Sequence, residues 1–477
     1  MHVAHFVPRY PPALGGAEAY VERLSQYLAG CGDTVTVWTS TAVDLEAMWR
    51  SGFREIQPNP PAPFPEREGG ASGGQVRTIT HTHPPGERPA CSPSPLREGG
   101  RGVRFPASAS QLDQATAVRR YRPLHFPARR YLLKLASLIP VPAWQALTLP
   151  CNPVCPAMWR DAGRLAGSLD AVHAFTFPHS FVAACGLRLA RRRGVPFLLT
   201  PFLHLGDPLD PADRTRRQYT SAPLRWLLRQ ADAVFVQTPS EKDAVERLGV
   251  RPERVVLQGL GVDPADCTGG DRTAVRQRWG VGSCTVVVGH LANNSVEKGA
   301  VDLLHAVARL PTHVRLVLAG PEMPNFRRAW DRFPHQNRVT RLGVLSDQQK
   351  RDFFAGIDVF ALPSRTDSFG LVLLEAWANG KPVVCYRAGG PADLVRDGID
   401  GRVLPCGDVV GLAEALSADG PTRSQFGQAG RERLVNFRWA DRLAVVRDHL
   451  ARLTRRPAPA ARRAADRPTT VAAAGWP

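Results

Sequence analysis

The chain has 477 residues and a formal net charge of +18 at pH 7, from 61 Lys and Arg against 43 Asp and Glu. This length is enough for two or three domains, each with its own hydrophobic core. No apolar run approaches the roughly 20 residues that span a bilayer. The nine cysteines include no Cys-x-x-Cys pair and no zinc-type cluster, which predicts free thiols in a reducing cytoplasm.

The first forty residues predict a strand, a loop, a helix and a second strand. The strands are the apolar runs Val3–Val7 and Thr34–Thr39, and the helix between them has apolar residues at helical spacing at Val21, Leu24 and Leu28. This βαβ unit indicates the start of a doubly wound, Rossmann-like domain. The loop ends in Gly15 and Gly16, whose backbone N–H groups suit a phosphate at the helix start, although a tight turn is the alternative.

Two unusual segments follow the second strand. Residues 57–117 are rich in Pro, Gly, Ser and Arg and almost lack apolar periodicity, so they predict a disordered insertion in a surface loop. Between Arg119 and Leu149, basic residues are mixed with apolar ones. A helix of this kind either lies on an anionic membrane surface or caps the N-terminal sheet with a basic outer face. No nucleic-acid-binding module is visible, so nucleic acid is not an expected partner.

Regular alternation of strands and helices then resumes. The first half of the chain has predicted strands at Ala171–Phe175, Phe197–Thr200, Ala233–Gln237 and Val255–Gln258. The second half has predicted strands at Thr285–Gly289, Arg315–Gly320 and Ile357–Leu362, and predicted helices at Ala300–Leu310 and Ser346–Ala355. This pattern predicts a second α/β domain.

The stretch 362–406 has the most specific chemistry. Asp367 and Glu375 lie eight positions apart across a strand-to-helix junction, which separates them by roughly 9–12 Å at the helical rise per residue. Carboxylates at this distance do not share a proton, but they can hold both ends of an extended polyol. The helix start between them offers backbone N–H groups that suit a diphosphate, at Ser368, Phe369 and Gly370. A nucleotide sugar has this order of groups; an ordinary charged loop is the alternative.

This stretch resembles the donor-binding signature of the retaining GT-B glycosyltransferases of family 4. The matching residues are Pro363, Ser364, Phe369, Gly370, Glu375, the segment Gly380-Lys381-Pro382-Val383-Val384 and the turn Gly389-Gly390. Asp367 stands where the family usually has Glu, which keeps the charge and shortens the reach by one methylene. The resemblance implies a GT-B fold, in which two Rossmann-like domains face each other across a cleft.

The resemblance also implies a domain organisation. The turn 259–263 looks like the family's interdomain hinge. An acceptor-side domain is therefore expected at 1–262 and a donor-binding domain at 263–438. A helix at 439–453 is expected to cross back onto the first domain, and residues 454–477 are expected to form a disordered basic tail.

The family's phosphate-binding residues correspond to four positions in this chain. In the family, the Gly-Gly pair that matches Gly15 and Gly16 touches the donor diphosphate. Lys298, in a matching Lys-Gly pair, is expected to neutralise the diphosphate as the glycosidic bond breaks. His290 replaces the family's Arg, and a protonated imidazole would partly substitute for it. A plain structural role for His290 is the alternative.

The remaining implied roles concern the sugar and the nucleoside. His204, at a strand end, is expected to face the transferred sugar, and Asp367 is expected to accept hydrogen bonds from the sugar hydroxyls. His204, Lys298 and Asp367 therefore form the expected catalytic set. Glu375 is expected to bind both ribose hydroxyls, and the nucleobase is expected near residues 321–322 and the turn that contains Val344.

The implied activity is transfer of a hexose from a UDP- or GDP-sugar to a hydroxyl of a glycan or lipid-linked acceptor, with retention at the anomeric carbon. No Asp-x-Asp motif marks a divalent-ion site, so neither a metal nor another cofactor is expected. We expect the protein in the cytoplasm, with the anionic inner surface of the membrane as a further partner. The alternative is a non-catalytic relative that binds sugar nucleotides, which the departures at His290 and Asp367 favour.

Overall fold

The protein has two α/β domains, each built on a parallel sheet. The computed structural model describes residues 1–13, 15–57, 116–164, 167–175 and 177–455. Residues 58–115 of the predicted insertion and 456–477 of the predicted tail lie outside this described part. Two parallel sheets with helices between their strands confirm the predicted doubly wound class.

The first sheet contains seven strands, which are β1 (His2–Phe6), β2 (Thr34–Ser40), β3 (Thr116–Tyr121), β4 (Ala171–Phe175), β5 (Phe197–Thr200), β6 (Ala233–Val236) and β7 (Val255–Leu257). They pair in the order β3-β2-β1-β4-β5-β6-β7, and every pairing is parallel. The accompanying helices are α1 (Gly16–Gly30), α2 (Arg129–Ala136), α3 (Pro142–Thr148), α4 (Pro156–Ala162), α5 (Ser180–Arg193), α6 (Arg214–Tyr219), α7 (Ala222–Gln230) and α8 (Pro239–Arg247).

The second sheet contains six strands, which are β8 (Val286–Leu291), β9 (Val314–Ala319), β10 (Val339–Gly343), β11 (Val359–Leu362), β12 (Val383–Tyr386) and β13 (Gly401–Leu404). They pair in parallel in the order β10-β9-β8-β11-β12-β13. The helices of this part are α9 (Pro264–Cys267), α10 (Arg272–Arg278), α11 (Ala300–Val307), α12 (Pro324–Trp330), α13 (Asp347–Gly356), α14 (Leu371–Ala378), α15 (Gly389–Leu394), α16 (Val409–Leu416) and α17 (Gly420–Arg433), followed by α18 (Trp439–Arg455).

The edge strand β3 differs from the sequence prediction. That prediction placed residues up to 117 in the disordered insertion and residues from 119 in a helical segment. Instead, β3 pairs with β2 along its whole length, from Val35↔Thr116 to Ser40↔Tyr121. Adjacent arginines hide the period-two alternation of this strand, and its partner lies far earlier in the chain. Its position is therefore set by a long-range pairing that local pattern does not reveal.

The basic and apolar segment after β3 forms the two short helices α2 and α3. The buried residue of α2 is Arg129, whereas the side chains of Tyr131, Leu132 and Leu135 are exposed. The helix therefore does not cap the sheet with an apolar inner face and a basic outer face. Within the described residues, no helix has both the length and the apolar character needed to cross a membrane.

The central strands supply the core. Strands β4, β5, β6, β11 and β12 are buried along their whole length, as parallel strands covered on both faces are. One apolar cluster extends from the first sheet through Leu260 and Val262 into the second domain. At this crossing, the Val262 N–H donates to the Phe437 carbonyl at 2.7 Å. Apolar packing thus continues through the hinge rather than stopping at it.

Helix α18 ties the end of the described chain to the first domain. Leu443, Val446 and Leu450 are buried on one of its faces. The Arg447 guanidinium lies 2.9 Å from the Asp33 carboxylate, at the turn that follows α1. Because α18 follows the second domain in sequence, these contacts hold the two domains together.

We predict that Leu450→Ala lowers the stability of the folded protein by about 2–5 kcal/mol, because it leaves a cavity where a fully buried side chain was. Urea unfolding followed by tryptophan fluorescence measures this change. Arg452→Ala, on the exposed side of the same helix, is the control and should change stability by no more than about 0.5 kcal/mol. Equal effects of the two substitutions would contradict the packing of α18.

Candidate active site

The carboxyl edges of the two sheets meet at the seam between the domains. Gly206, after β5, donates its N–H to Thr366 Oγ1 at 3.3 Å, and Thr366 follows β11. Ser240, at the start of α8, donates its N–H and its hydroxyl to the Asp393 carboxylate, each at 2.8 Å. Because parallel strands end at a common edge, the predicted site residues that follow β1, β5, β8, β10 and β11 belong to these two edges.

An ion pair between Lys298 and Asp367 lies at this seam. Lys298 Nζ is 2.7 Å from Asp367 Oδ2 and also donates to the Thr366 carbonyl at 3.2 Å. The other carboxylate oxygen, Asp367 Oδ1, accepts the N–H groups of Phe369 at 3.3 Å and Gly370 at 3.1 Å. Although burial raises the pKa of Asp367, the charge of Lys298 and these hydrogen bonds lower it overall. The carboxyl group is therefore ionised at neutral pH.

The Gly-Gly turn of the signature supports the Asp367 loop. Gly390 donates its N–H to the Asp367 carbonyl at 3.1 Å. A Cβ on Gly389 would lie 2.3 Å from that same carbonyl oxygen, and Gly389 has a φ of +55°. Glycine is required here because a side chain would push the loop away and because this backbone conformation is strained for other residues. The Gly389-Gly390 turn thus holds the backbone of Asp367 in position.

His204 faces this ion pair from the first domain. Its Nδ1 lies 3.5 Å from Thr366 Oγ1, and its ring lies 5.1 Å from the ring of Tyr219. Burial, together with the positive charge of Lys298, lowers the pKa of His204 to about 4. The imidazole is therefore neutral at pH 7 and can offer one N–H donor to a bound ligand. The structure brings together all three residues of the predicted catalytic set.

Glu241 holds the backbone beside His204, and the sequence analysis did not identify it. Its carboxylate accepts the N–H of Leu203 and the N–H of Gln237, both at 2.7 Å. Phe202, one residue earlier, has a φ of +50°, so this loop is strained as well as buttressed. Burial outweighs the two hydrogen bonds and raises the pKa of Glu241 to about 7. The available sequence signal was the helix-start pattern Thr238-x-x-Glu.

His290 occupies a buried position on β8. It has no exposed surface, and its Nδ1 pairs with the Ala361 carbonyl at 2.9 Å. Since a carbonyl only accepts, Nδ1 has the proton, and Nε2 is a bare acceptor without a partner among the described residues. Burial lowers the pKa of His290 to about 4. The structure therefore places a neutral ring, rather than a cation, where the family usually has an arginine.

Glu375 lies on α14 with one carboxylate oxygen engaged and one unengaged. Oε1 is 2.5 Å from Lys350 Nζ, while Oε2 is buried and lacks a hydrogen-bond partner in the described part of the chain. Burial raises the pKa of Glu375 despite the opposing effect of Lys350. Sequence analysis missed Lys350, because it pairs with Glu375 across two different helices. The unengaged Oε2 can therefore accept a further hydrogen bond.

The predicted nucleobase region is an open surface at the ends of β9 and β10. Gly320, after β9, donates its N–H to the Gly343 carbonyl at 2.6 Å, which ties the two strand ends together. Val344, which follows β10, is 57% exposed, and the Glu322 carboxylate lies 2.7 Å from the Arg341 guanidinium. An exposed apolar residue beside a paired carboxylate is compatible with a flat aromatic ligand.

Gly15 and Gly16 differ in what their missing side chains allow. A Cβ on Gly15 would lie 2.1 Å from Glu18 Oε2, and Glu18 is held by Arg9 at 2.6 Å. A Cβ on Gly16 would meet nothing within 4 Å. A side chain at Gly15 would therefore displace the Glu18 carboxylate that pairs with Arg9, whereas Gly16 leaves open space at the start of α1.

Arg365 is a further link between the domains that sequence analysis missed. Its guanidinium lies 3.1 Å from Asp207 of the first domain and 2.8 Å from Asp302 of the second. It precedes Thr366 and Asp367 directly, so this bridge positions the loop that holds the ion pair. Within the described ranges, no group of three or more His, Cys, Asp or Glu side chains is arranged to hold a metal ion.

The chain matches two protein-family models. The model described as a glycosyl transferase 4-like domain matches residues 15–261, and the model described as glycosyl transferases group 1 matches residues 283–418. A Xylanimonas cellulosilytica protein named D-inositol 3-phosphate glycosyltransferase is 30% identical over 323 residues, which are 62% of this chain and 76% of that protein. The lipopolysaccharide core biosynthesis glycosyltransferase LpsE of Rhizobium meliloti is 32% identical over 212 residues, covering 43% of this chain and 60% of LpsE.

Solved structures share the fold over nearly the whole chain. Sucrose-phosphate synthase of Thermosynechococcus elongatus has a TM-score of 0.64 at 19% identity, covering 95% of this chain and 98% of that one. HepE of Anabaena, solved in complex with UDP and glucose, has a TM-score of 0.62 at 18% identity, covering 95% of this chain and 100% of HepE. At these identities the similarity establishes the shared fold.

We predict that the buried Glu241 makes stability depend on pH. Because its pKa of about 7 in the folded chain is above the ordinary 4.5, its favourable contribution is present below the ordinary value and is lost as pH rises through 7. Between about pH 5.5 and about pH 8, the wild-type protein should lose about 2 kcal/mol relative to Glu241→Gln, measured by urea unfolding.

The same substitution at Glu246, which is partly exposed on the same helix, controls for the loss of one negative charge. If Glu241→Gln and the wild-type protein respond to pH in the same way, Glu241 is not the titrating group.

Proposed function

Since the chain belongs to the group 1 glycosyltransferases, we propose that it transfers a sugar from a nucleoside diphosphate sugar to a hydroxyl of a glycan or lipid-linked acceptor. The Lys298–Asp367 ion pair carries this proposal, because it puts a fixed cation and a sugar-binding carboxylate at one helix start. His204 faces both groups from the other domain, so a ligand there contacts both domains.

Lys298 is proposed to neutralise the leaving diphosphate. Negative charge collects on the phosphate oxygens as the glycosidic bond breaks, and a preorganised cation stabilises that charge without having to reorganise. Asp367 and the Thr366 carbonyl hold the ammonium group in place before the donor binds. The start of α14 adds the positive end of a helix, although its first N–H groups are shared with Asp367.

Asp367 is proposed to bind the sugar rather than to act as a base. Its lowered pKa makes it a weak proton acceptor, and both of its oxygens are engaged by donors. This leaves the phosphate oxygen of the leaving group to take the acceptor's proton. Attack would then occur on the face of the sugar that the phosphate leaves, with retention at the anomeric carbon. The neutral His204 donates a hydrogen bond to the sugar.

Glu375 is proposed to bind the ribose. Its unengaged Oε2 accepts one hydroxyl, and Oε1 accepts the second when Lys350 is displaced or shared. The exposed Val344 surface takes the base. Charge neutralisation by Lys298 and the helix start requires no divalent ion, so we propose a metal-independent enzyme.

The identity of the donor and the acceptor is narrowed by what similar proteins are named for. HepE was solved with UDP-glucose and with UDP and glucose, which makes UDP-sugars the first donors to test, ahead of GDP-sugars. The relatives are named for D-inositol 3-phosphate glycosylation and for lipopolysaccharide core biosynthesis, so D-inositol 3-phosphate and a lipopolysaccharide core saccharide are the first acceptors to test. A non-catalytic role is not favoured, since these relatives are named as enzymes.

We predict that a favoured nucleotide sugar raises the melting temperature of the purified protein. At a hundredfold excess over Kd the stabilisation is about 2.7 kcal/mol. Glu375→Gln should lose at least about tenfold in affinity, because one bidentate carboxylate is replaced by an amide. Glu414→Gln, exposed on α16, should behave like the wild-type protein. A folded protein that no UDP- or GDP-sugar stabilises would overturn the proposed donor.

We also predict that Lys298→Met lowers kcat by about 100- to 1000-fold, because the leaving diphosphate loses its fixed cation. Lys298→Arg should recover part of this loss, since it restores the charge. Steady-state kinetics with the best donor and acceptor measures both variants, and Lys242→Met on the outside of α8 is the control. Wild-type turnover in Lys298→Met would remove this residue from the mechanism.

A further inference from the structure

A patch of exposed apolar side chains lies on α2, on α3 and beside them. We call it the α2 patch; its large apolar members are Leu124, Phe126, Tyr131, Leu132, Leu135, Leu138, Ile139, Val141 and Trp144. These are half of all the large hydrophobic residues that the described chain exposes, within a segment of about twenty residues. Single exposed apolar residues are ordinary, but a contiguous group marks a contact surface.

The fold fixes this patch in an outward orientation. Arg129, at the first turn of α2, is only 3% exposed, and its guanidinium donates to the Asn152 carbonyl. On the opposite side of the helix, Tyr131 is 79% exposed and Leu135 is 65% exposed. The inward arginine thus anchors the helix, and the apolar side chains that would ordinarily serve as anchors point to solvent.

Helix α3 attaches the patch to the body of the domain. Its Ala146 and Thr148 are buried, and it packs against α5 and α7. Two side chains of α3 also cap the end of α2 and the turn after it: Trp144 Nε1 donates to the Ala136 carbonyl at 2.8 Å, and Gln145 Nε2 to the Ser137 carbonyl at 2.9 Å. The patch is therefore a held surface rather than a loose segment.

The charge around the α2 patch indicates which kind of partner it binds. From Gln114 to Arg160 the sequence has no Asp or Glu, and Arg130 and Lys134 are exposed among the apolar residues. Glu55 approaches the segment from an earlier part of the chain and lies 3.8 Å from the exposed Arg122. Exposed leucines beside Arg130 and Lys134 match the interface of an anionic bilayer, where apolar side chains enter the acyl region and cations meet phosphates. A second copy of this chain would bring an equally positive patch, so like charges oppose self-association.

The position of the α2 patch indicates which edge of the first domain faces the partner. It follows the carboxyl end of β3, at the same edge of the first sheet as the Gly15-Gly16 loop after β1 and the His204 loop after β5. We infer that the α2 patch docks the protein onto an anionic lipid bilayer, with this edge of the first domain turned toward the membrane. This docking does not depend on the proposed sugar transfer.

The test is sedimentation of the full chain with vesicles of phosphatidylglycerol and phosphatidylcholine, and with vesicles of phosphatidylcholine alone. The wild-type protein should bind the anionic vesicles at least about tenfold more tightly than the triple variant Tyr131→Ser, Leu135→Ser, Leu138→Ser. The matched control is Val410→Ser with Val435→Ser, since each of these valines is 57% exposed in the second domain. The control should bind like the wild-type protein.

Two further measurements separate insertion from plain charge attraction. Brominated lipids should quench tryptophan fluorescence in the wild-type protein, and Trp144→Phe should lose that quenching while still binding. Arg130→Gln with Lys134→Gln should weaken binding to anionic vesicles but leave the quenching of the bound fraction unchanged. Thermal melts of all variants verify that they fold, which exposed positions permit.

Three outcomes would overturn the inference. The full chain does not bind anionic vesicles at low salt, or the triple variant binds as well as the wild-type protein, so that basic segments alone account for binding. In the third, the wild-type protein self-associates through the patch in solution and ignores vesicles, which would assign the patch to a second copy. Failure of sugar transfer, by contrast, leaves every one of these readouts unchanged.

Discussion

Parallel pairing of the strands is the constraint from which the site follows. Every strand of each sheet ends at the same edge, so each loop that leaves a strand toward that edge meets its neighbours there. The edges of the two sheets then meet, through Gly206 and Thr366 and through Ser240 and Asp393. As a result, side chains that are far apart in sequence, such as His204 and Lys298, lie close together although no single helix or strand contains both.

Within that seam, the structure separates charged from neutral groups. Lys298 and Asp367 form an ion pair, and the imidazoles of His204 and His290, which are neutral at pH 7, lie near Lys298. In the proposed reaction, one fixed cation and the start of a helix would therefore stabilise the charge on the leaving diphosphate. This arrangement also requires burial of the Glu241 carboxylate, which holds the backbone beside His204 and whose pKa is raised by that burial.

The first domain buries different kinds of side chain at the seam and at helix α2. At the seam, a polar group is buried and paired: the Glu241 carboxylate accepts the N–H groups of Leu203 and Gln237. On α2, apolar groups are exposed while Arg129 is buried. Helix α2 alone has too few residues to bury a wide apolar face, so the direction of that face depends on what the neighbouring elements offer it.

Local patterns determined much of this protein. Apolar runs located the central strands, β4 and β5 with the same bounds as observed, and the residues from Pro363 to Gly390 identified the predicted GT-B fold, which is confirmed. Strand and helix periods and turn glycines are short-range signals, which a sequence displays directly. Only the tertiary structure decided the pairing of β3, the Lys350–Glu375 contact, the burial of His290 and the outward face of α2. Each of these features depends on which element from a distant part of the chain packs against the residue or strand. A local sequence pattern does not specify that partner.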